Sequence, residues 1–299
     1  MQRLIYLIAY PILLIISILP FRILYILSDF VFFFVYYVFG YRKKVVRENL
    51  ALALPHLSAK ERLVIEKKSY SHLCDMFLEM IKTMGISNKE IDKRFVFKNL
   101  EVYKSLEKEG KSIALMCSHY ASYEWVISMN SKIEYEGYAL YKPIQNKYFD
   151  NLVRKIRSKF KAHLLPIDKS ILLIDNNFHK NIKSLYGFAS DQSPIVRLNT
   201  YWTKFMDIEV PVYVGAEMLS KKFDMNVIFL KVKKLKRGFY EAEFEIISTN
   251  VKEVPNFGIT DMYLRKVEDQ IMEAPEYYFW THNRWKHKDR NPKFLKPKK

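Results

Sequence analysis

The sequence predicts an α/β protein: a mixed sheet flanked by helices, with an apolar helical membrane anchor at its amino terminus. Three observations predict it. Apolar residues run almost unbroken through the first 39 positions. Residues 45–84 repeat apolar side chains at helical spacing. From residue 111 onward, short apolar runs alternate with amphipathic stretches. Helices first, then strands alternating with helices, describe an α/β domain on a helical base. No internal repeat or clear linker divides the 299 residues. The boundary is set by composition: an anchor over 1–41 and a cytoplasmic domain over 42–299.

The anchor consists of two runs, Leu4 to Leu19 and Ile23 to Phe39, separated by Pro20, Phe21 and Arg22. A spanning helix takes about 20 apolar residues. The first run is slightly short, and the second contains Asp29. One spanning helix and a hairpin embedded in one leaflet both fit, as does a buried helical pair. A cleaved signal fits poorly, because no small-residue cleavage site precedes the second run. Arg42, Lys43, Lys44 and Arg47 follow at once. That positive-inside cluster places the rest of the chain in the cytoplasm and can grip anionic headgroups.

Pro55 stops the next helix. Ser58-Ala59-Lys60-Glu61 is a capping-box pattern opening a helix through Tyr70, Leu73, Phe77 and Ile81. Asn99 begins a short helix ending near Gly110. Ser112 to Cys117 reads as a buried strand and Ala121 to Ser131 as a helix. Tyr138–Lys142 is a strand, Tyr148–Phe160 a basic helix, and His163–Pro166 a short strand. A further strand, Ser184–Ser190, precedes Asp191. Val212–Gly215 reads as extended. Val227–Val232 and Tyr240–Ile247 form a hairpin about Lys236-Arg237-Gly238. Asp261–Ala274 is the last helix, and the basic tail is expected to be mobile at its end.

Composition narrows the function. With 49 Lys+Arg against 32 Asp+Glu, the net charge is +17. Such a surface attracts acidic lipid, acidic protein or nucleic acid. Only Cys74 and Cys117 are present, so a disulfide framework or a cysteine-based zinc site is not expected. No G-x-G-x-x-G or P-loop pattern supports a nucleotide site. The other histidines lack metal-ligand spacing.

Four segments can carry chemistry. The first is His119 to Glu124, an H-x4-E spacing just past the buried strand. Residues five apart on a helix point about 140° from one another. The pair meets only if His119 lies in the turn before the helix. Glu124 would then hold one ring nitrogen and leave the other to take a proton. A capped helix with solvated His and Glu fits the spacing equally. The second segment is Asp191-Gln192-Ser193-Pro194, also past a buried strand. Asp191 shares a sheet end with His119 if the two strands are parallel, though an ordinary turn before proline reads the same. The third is basic: Lys142, then Arg154, Lys155, Arg157 and Lys161, able to bind phosphate or simply to face solvent. The fourth, Phe279 to Lys286, alternates aromatic and basic residues and suits a membrane interface or ordinary packing.

Taken in order, these segments resemble the late acyltransferases of lipid A biosynthesis, the lauroyl/myristoyl acyltransferase family. The resemblance runs from the apolar amino terminus through Tyr41-Arg42-Lys43-Lys44 to Asn49-Leu50, and on to His119–Glu124. It continues through Tyr141-Lys142-Pro143, Arg157–Phe160, Ala189-Ser190-Asp191-Gln192 and Pro275–Lys286. It implies a glycerolipid-acyltransferase-like fold at the bacterial inner membrane. It implies His119 and Glu124 as a catalytic pair moving a fatty acyl chain from a thioester of acyl carrier protein, or of CoA, to a hydroxyl of a lipid A precursor. Asp191, Gln192, Arg154, Lys155, Arg157 and Lys142 would bind substrate. No metal and no cofactor is required, and no nucleic acid. Two departures stand out: Lys142 where the family often has arginine, and Lys155 or Arg154 where it has a helix arginine. Other acceptors (ornithine lipid, glycolipid, glycerolipid) suit the same base. A non-enzymatic basic surface explains the charge but not the ordered motifs.

Overall fold

The computed structural model describes residues 2–291. The expectation of a mobile basic end falls largely on 292–299, outside those residues. Helix α1 (Gln2–Ile18) is followed by α2 (Phe21–Phe32), which continues into a π turn, Phe33–Val38. Phe21–Val38 is long and apolar enough to cross a membrane, at a mean hydropathy of 1.7. Next come α3 (Lys43–Ala53) and the long α4 (Ala59–Lys82). The Ser58 capping box forms in full: Ser58 Oγ accepts from the Glu61 N–H, and Glu61 accepts from the Ser58 N–H. Helix α5 (Asn88–Arg94), strand β1 (Phe95–Phe97) and α6 (Leu100–Lys108) complete the helical half. The chain then turns at Gly110, in the left-handed region with φ +72°.

The sheet strands that follow are β2 (Ile113–Cys117), β3 (Glu136–Tyr141), β4 (His163–Pro166) and β5 (Ser184–Ala189). Between them lie α7 (Lys147–Arg157) and α8 (Ile167–His179). Among the described residues, strands β6 (Trp202–Phe205) and β7 (Ile208–Pro211) pair only with each other. Helix α9 (Gly215–Lys222), strands β8 (Asn226–Lys236) and β9 (Phe239–Ser248), and helix α10 (Gly258–Glu273) follow.

The seven-stranded sheet has the order β1-β9-β8-β2-β5-β3-β4. Neighbours are parallel except β8 and β9, so the sheet is mixed. Central β2 is buried at every position, which explains its continuous apolar run with no alternation. Its ends are fixed by register against β5, with Ile113 opposite Leu185 and Cys117 opposite Ala189.

Three local expectations change. The helix expected from Ala121 is a 3₁₀ helix starting at Tyr123. Ala121 occupies the left-handed region at φ +49°, which no α-helix admits. Val212–Gly215 forms no strand. The extended pairing there is the β6–β7 ribbon, closed by Met206 and Asp207, both at positive φ. That turn lacks the Gly or Asn-Gly that marks such a loop in sequence. Of the two readings of the aromatic and basic segment near the end, the membrane interface falls and packing holds: Trp280, Arg284 and Trp285 are all buried.

Candidate active site

Two parallel strands end level and then release one functional side chain each. Cys117 pairs with Ala189, and two residues beyond each lie His119 and Asp191. The equal offset brings them together. His119 Nδ1 lies 2.7 Å from Asp191 Oδ1, and the His119 backbone N–H donates to Asp191 Oδ2 at 3.2 Å. Asp191 is wholly buried, while the His119 side chain keeps about a fifth of its surface. An ionised carboxylate only accepts, so Nδ1 carries the proton. Among the described residues Nε2 has no hydrogen-bond partner, and it is the basic nitrogen.

Burial alone would make the His119 imidazole harder to protonate. The adjacent Asp191 charge and hydrogen bond, helped by Glu124, more than offset this and raise its pKa above the usual value. Burial likewise opposes charge on Asp191, yet His119 holds its carboxyl below the usual range. Cys117 is buried as well, and burial beside Asp191 pushes its thiol up to about 12, far from a reactive thiolate.

The expected partnership of Glu124 with His119 is not what the structure shows. Glu124 faces Arg157, whose Nε donates to Oε2 at 2.9 Å and whose Nη2 donates to Oε1 at 2.5 Å. The reason is the 3₁₀ start after Ala121, which turns Glu124 toward the end of α7. Asp191 takes the orienting position instead. Glu124 is buried, so a charge there needs the fork of a guanidinium. The pair remains close enough that both charges act on His119, Glu124 raising its pKa and Arg157 lowering it.

The turn carrying His119 is clamped from outside by the chain after α10. Phe279 N–H donates to the His119 carbonyl at 3.1 Å, and Ala121 N–H to the Tyr277 carbonyl at 2.9 Å. Tyr120 and Tyr278 form an antiparallel bridge. These bonds hold the left-handed Ala121, a conformation that persists only where its surroundings fix it. The His119 ring meets Tyr123 edge-on at 5.0 Å and lies 6.2 Å from Phe279. Beside it opens a slot lined by Leu73, Met76, Tyr123 and Phe279.

The remaining expected site residues divide. Arg157 is in the constellation. Arg154, Lys155 and Lys142 are exposed, and Gln192 is half-buried beside Asp191. Two residues near Asp191 were not singled out in the sequence. His282 Nε2 accepts from the Ser193 N–H at 3.1 Å, and burial pushes its pKa down to about 4, so it stays neutral. Arg284 is fully buried and donates through Nη1 to the Pro211 carbonyl at 3.1 Å. Its Nε and Nη2 have no partner among the described residues, and the Asp191 charge favours the charged guanidinium against the burial that opposes it. Only the basic, aromatic character of 279–286 pointed to them.

Comparison with known proteins fits this arrangement. The chain is 23% identical over 251 residues to the lipid A biosynthesis palmitoleoyltransferase of Escherichia coli (strain K12), covering 82% of this chain and 79% of that protein. A lipid A biosynthesis acyltransferase of Shigella flexneri matches to the same extent. The family described as bacterial lipid A biosynthesis acyltransferase matches residues 1–287. A match across nearly the whole chain, with an apolar amino terminus ahead of a mixed α/β sheet, makes this protein a member of the bacterial lipid A biosynthesis acyltransferase family and an acyltransferase.

Proposed function

We propose that this enzyme transfers a fatty acyl chain from an acyl carrier protein thioester to a hydroxyl of a lipid A precursor, with His119 as general base. The observation that carries the reading is the His119–Asp191 contact at 2.7 Å, which leaves Nε2 free at the carboxyl end of the sheet. The acceptor hydroxyl gives its proton to Nε2 while its oxygen attacks the thioester carbonyl. A C–O bond forms, the tetrahedral intermediate collapses, and the C–S bond breaks. The imidazolium then returns its proton to the departing thiolate. Asp191 fixes the tautomer and stabilises the imidazolium. Arg157, aimed by Glu124, keeps N–H donors beyond the two it spends on the carboxylate and can meet charge developing on the carbonyl oxygen. The exposed cations Lys142, Arg154 and Lys155 suit the acceptor's phosphates.

The net charge of +17 supports an acidic donor protein and an anionic membrane, the cytoplasmic leaflet of the inner membrane. The test presents purified enzyme with the same acyl chain as a carrier-protein thioester and as a CoA thioester, against lipid A precursor. Mass spectrometry of the lipid should show one added chain, formed faster from the carrier protein. Faster transfer from CoA would reject the donor. Transfer only to another polar lipid, such as an ornithine lipid, would reject the acceptor.

A further inference from the structure

We infer that α1 and α2 lie in the plane of one membrane leaflet and do not cross the bilayer. The reason is polar bonding along α2 and its π turn. Tyr25 OH donates to Glu79 at 2.8 Å, Ser28 Oγ to Asp75 at 2.7 Å, and Tyr36 OH to Glu66 at 2.9 Å. Asp29 pairs with Arg237 at 2.6 Å. From Tyr25 to Tyr36 a helix rises roughly 16 Å, more than half of the roughly 30 Å hydrocarbon core. Glu66, Asp75 and Glu79 all sit on α4, which also exposes Lys60, Lys67 and Lys68. Arg237 sits in the β8–β9 turn, packed so closely that a Cβ at Gly238 would strike the Tyr25 hydroxyl. If α2 spanned the membrane, α4 and this turn would be carried to hydrocarbon depth with their charges.

Helix α1 rests on the domain at both ends. Tyr6 stacks on Tyr148 at 5.5 Å and meets Phe149 edge-on at 5.7 Å, both on α7. At the other end Lys82 Nζ donates to the Leu19 carbonyl at 2.6 Å, and Gly85 leaves no room for a Cβ against the Ser17 carbonyl. A helix held at both ends by one water-facing domain cannot carry one end across the bilayer.

The faces turned away from the domain are apolar stripes. On α2 and its π turn, Ile23, Ile26, Phe30, Phe33 and Tyr37 recur every three or four residues, and each is at least half exposed. Leu4, Ile8, Ile12 and Ile15 do the same on α1. Arg3, Arg22, Arg42 and Lys44 stand exposed at the helix ends. An apolar stripe bordered by cations fits an anionic phospholipid leaflet, entered to headgroup and upper acyl depth. This holds whichever lipid accepts the acyl chain.

The test uses the full chain with single cysteines at Ile23, Ile26, Phe30, Phe33 and Tyr37, spin-labelled and bound to phosphatidylglycerol-containing vesicles. Native Cys74 and Cys117 are buried, and the unsubstituted chain sets the background. Collision with oxygen and with a water-soluble nickel chelate reads depth. The expected result is a similar depth at all five positions, about 5–10 Å below the headgroups. A profile that peaks at Phe30 near the bilayer centre, about 15 Å from either surface, would overturn the inference. So would strong spin–spin broadening, which would assign the stripe to a second copy of the chain. As a second measurement, Arg3→Cys and Lys252→Cys should react with an impermeant thiol reagent from the same side of sealed vesicles; reaction from opposite sides would overturn it equally.

Discussion

His119 owes its chemistry to one neighbour. Asp191 sets the tautomer and outweighs the burial that would otherwise keep the ring neutral. As the proposed base, His119 works when unprotonated, so activity should fall as pH drops through an imidazole pKa raised above its usual value by Asp191. Asp191→Asn removes the charge and keeps the shape. The acidic limb of kcat/KM should then move to lower pH, because burial remains and the raising influence is gone. The rate itself should drop about 10²–10⁴-fold, while a limb that stays in place would show that Asp191 does not tune His119. The same linkage acts on stability. The raised His119 pKa stabilises the fold at lower pH and loses that contribution as pH rises through it. The lowered Asp191 pKa stabilises the fold above its unfolded value and loses that contribution as pH falls. The pair therefore contributes most at mildly acidic pH, between the two.

The turn between β2 and the 3₁₀ helix decides which side chains meet. Ala121 at φ +49° is the residue that makes it. Ala121→Gly should leave thermal stability equal or higher, since glycine enters this region without strain. Ala121→Val should lower stability by roughly 1–3 kcal/mol and reduce activity with it. Equal melting temperatures for the two would remove the turn from the argument. The Glu124–Arg157 fork is the second device at this scale. Arg157→Met leaves a buried carboxylate unpaired and should cost about 3–5 kcal/mol in denaturant unfolding. The sequence made much of this half-legible. The apolar run Ile113–Cys117, the turn at Asp191 and the capping box at Ser58 are local signals, and they place their elements correctly. Glu124 and Arg157 lie 33 residues apart, and no spacing rule links them. The left-handed Ala121 is equally silent, because alanine, unlike glycine or asparagine, does not mark that conformation in a sequence.

At the scale of the molecule, the helical half and the chain after α10 share one set of polar bonds. Asn49 Nδ2 donates to the Trp280 carbonyl at 2.8 Å and to the His282 carbonyl at 2.7 Å. Arg42 reaches the Thr281 carbonyl at 3.0 Å. The chain just past the apolar amino terminus is thus tied to the segment that clamps the His119 turn. Asn49→Ala should lower both stability and activity, read by unfolding and by rate, because it frees two carbonyls beside the site. Activity at full strength alongside lost stability would uncouple the two. The mixed sheet was visible in the alternation of strands and helices after residue 111. Ordinary packing was one of two readings of the aromatic segment at 279–286, but the burial of Arg284 within it was not legible, since basic residues there read as solvated. Acyl transfer with His119 as the proposed base is tested most directly by the single-turnover rate of the His119→Asn variant with carrier-protein thioester and lipid A precursor, alongside vesicle binding and melting temperature. The expected rate is about 10²–10⁴-fold lower with binding and melting unchanged; a variant that transfers the chain at the parent rate would show that His119 is not the base.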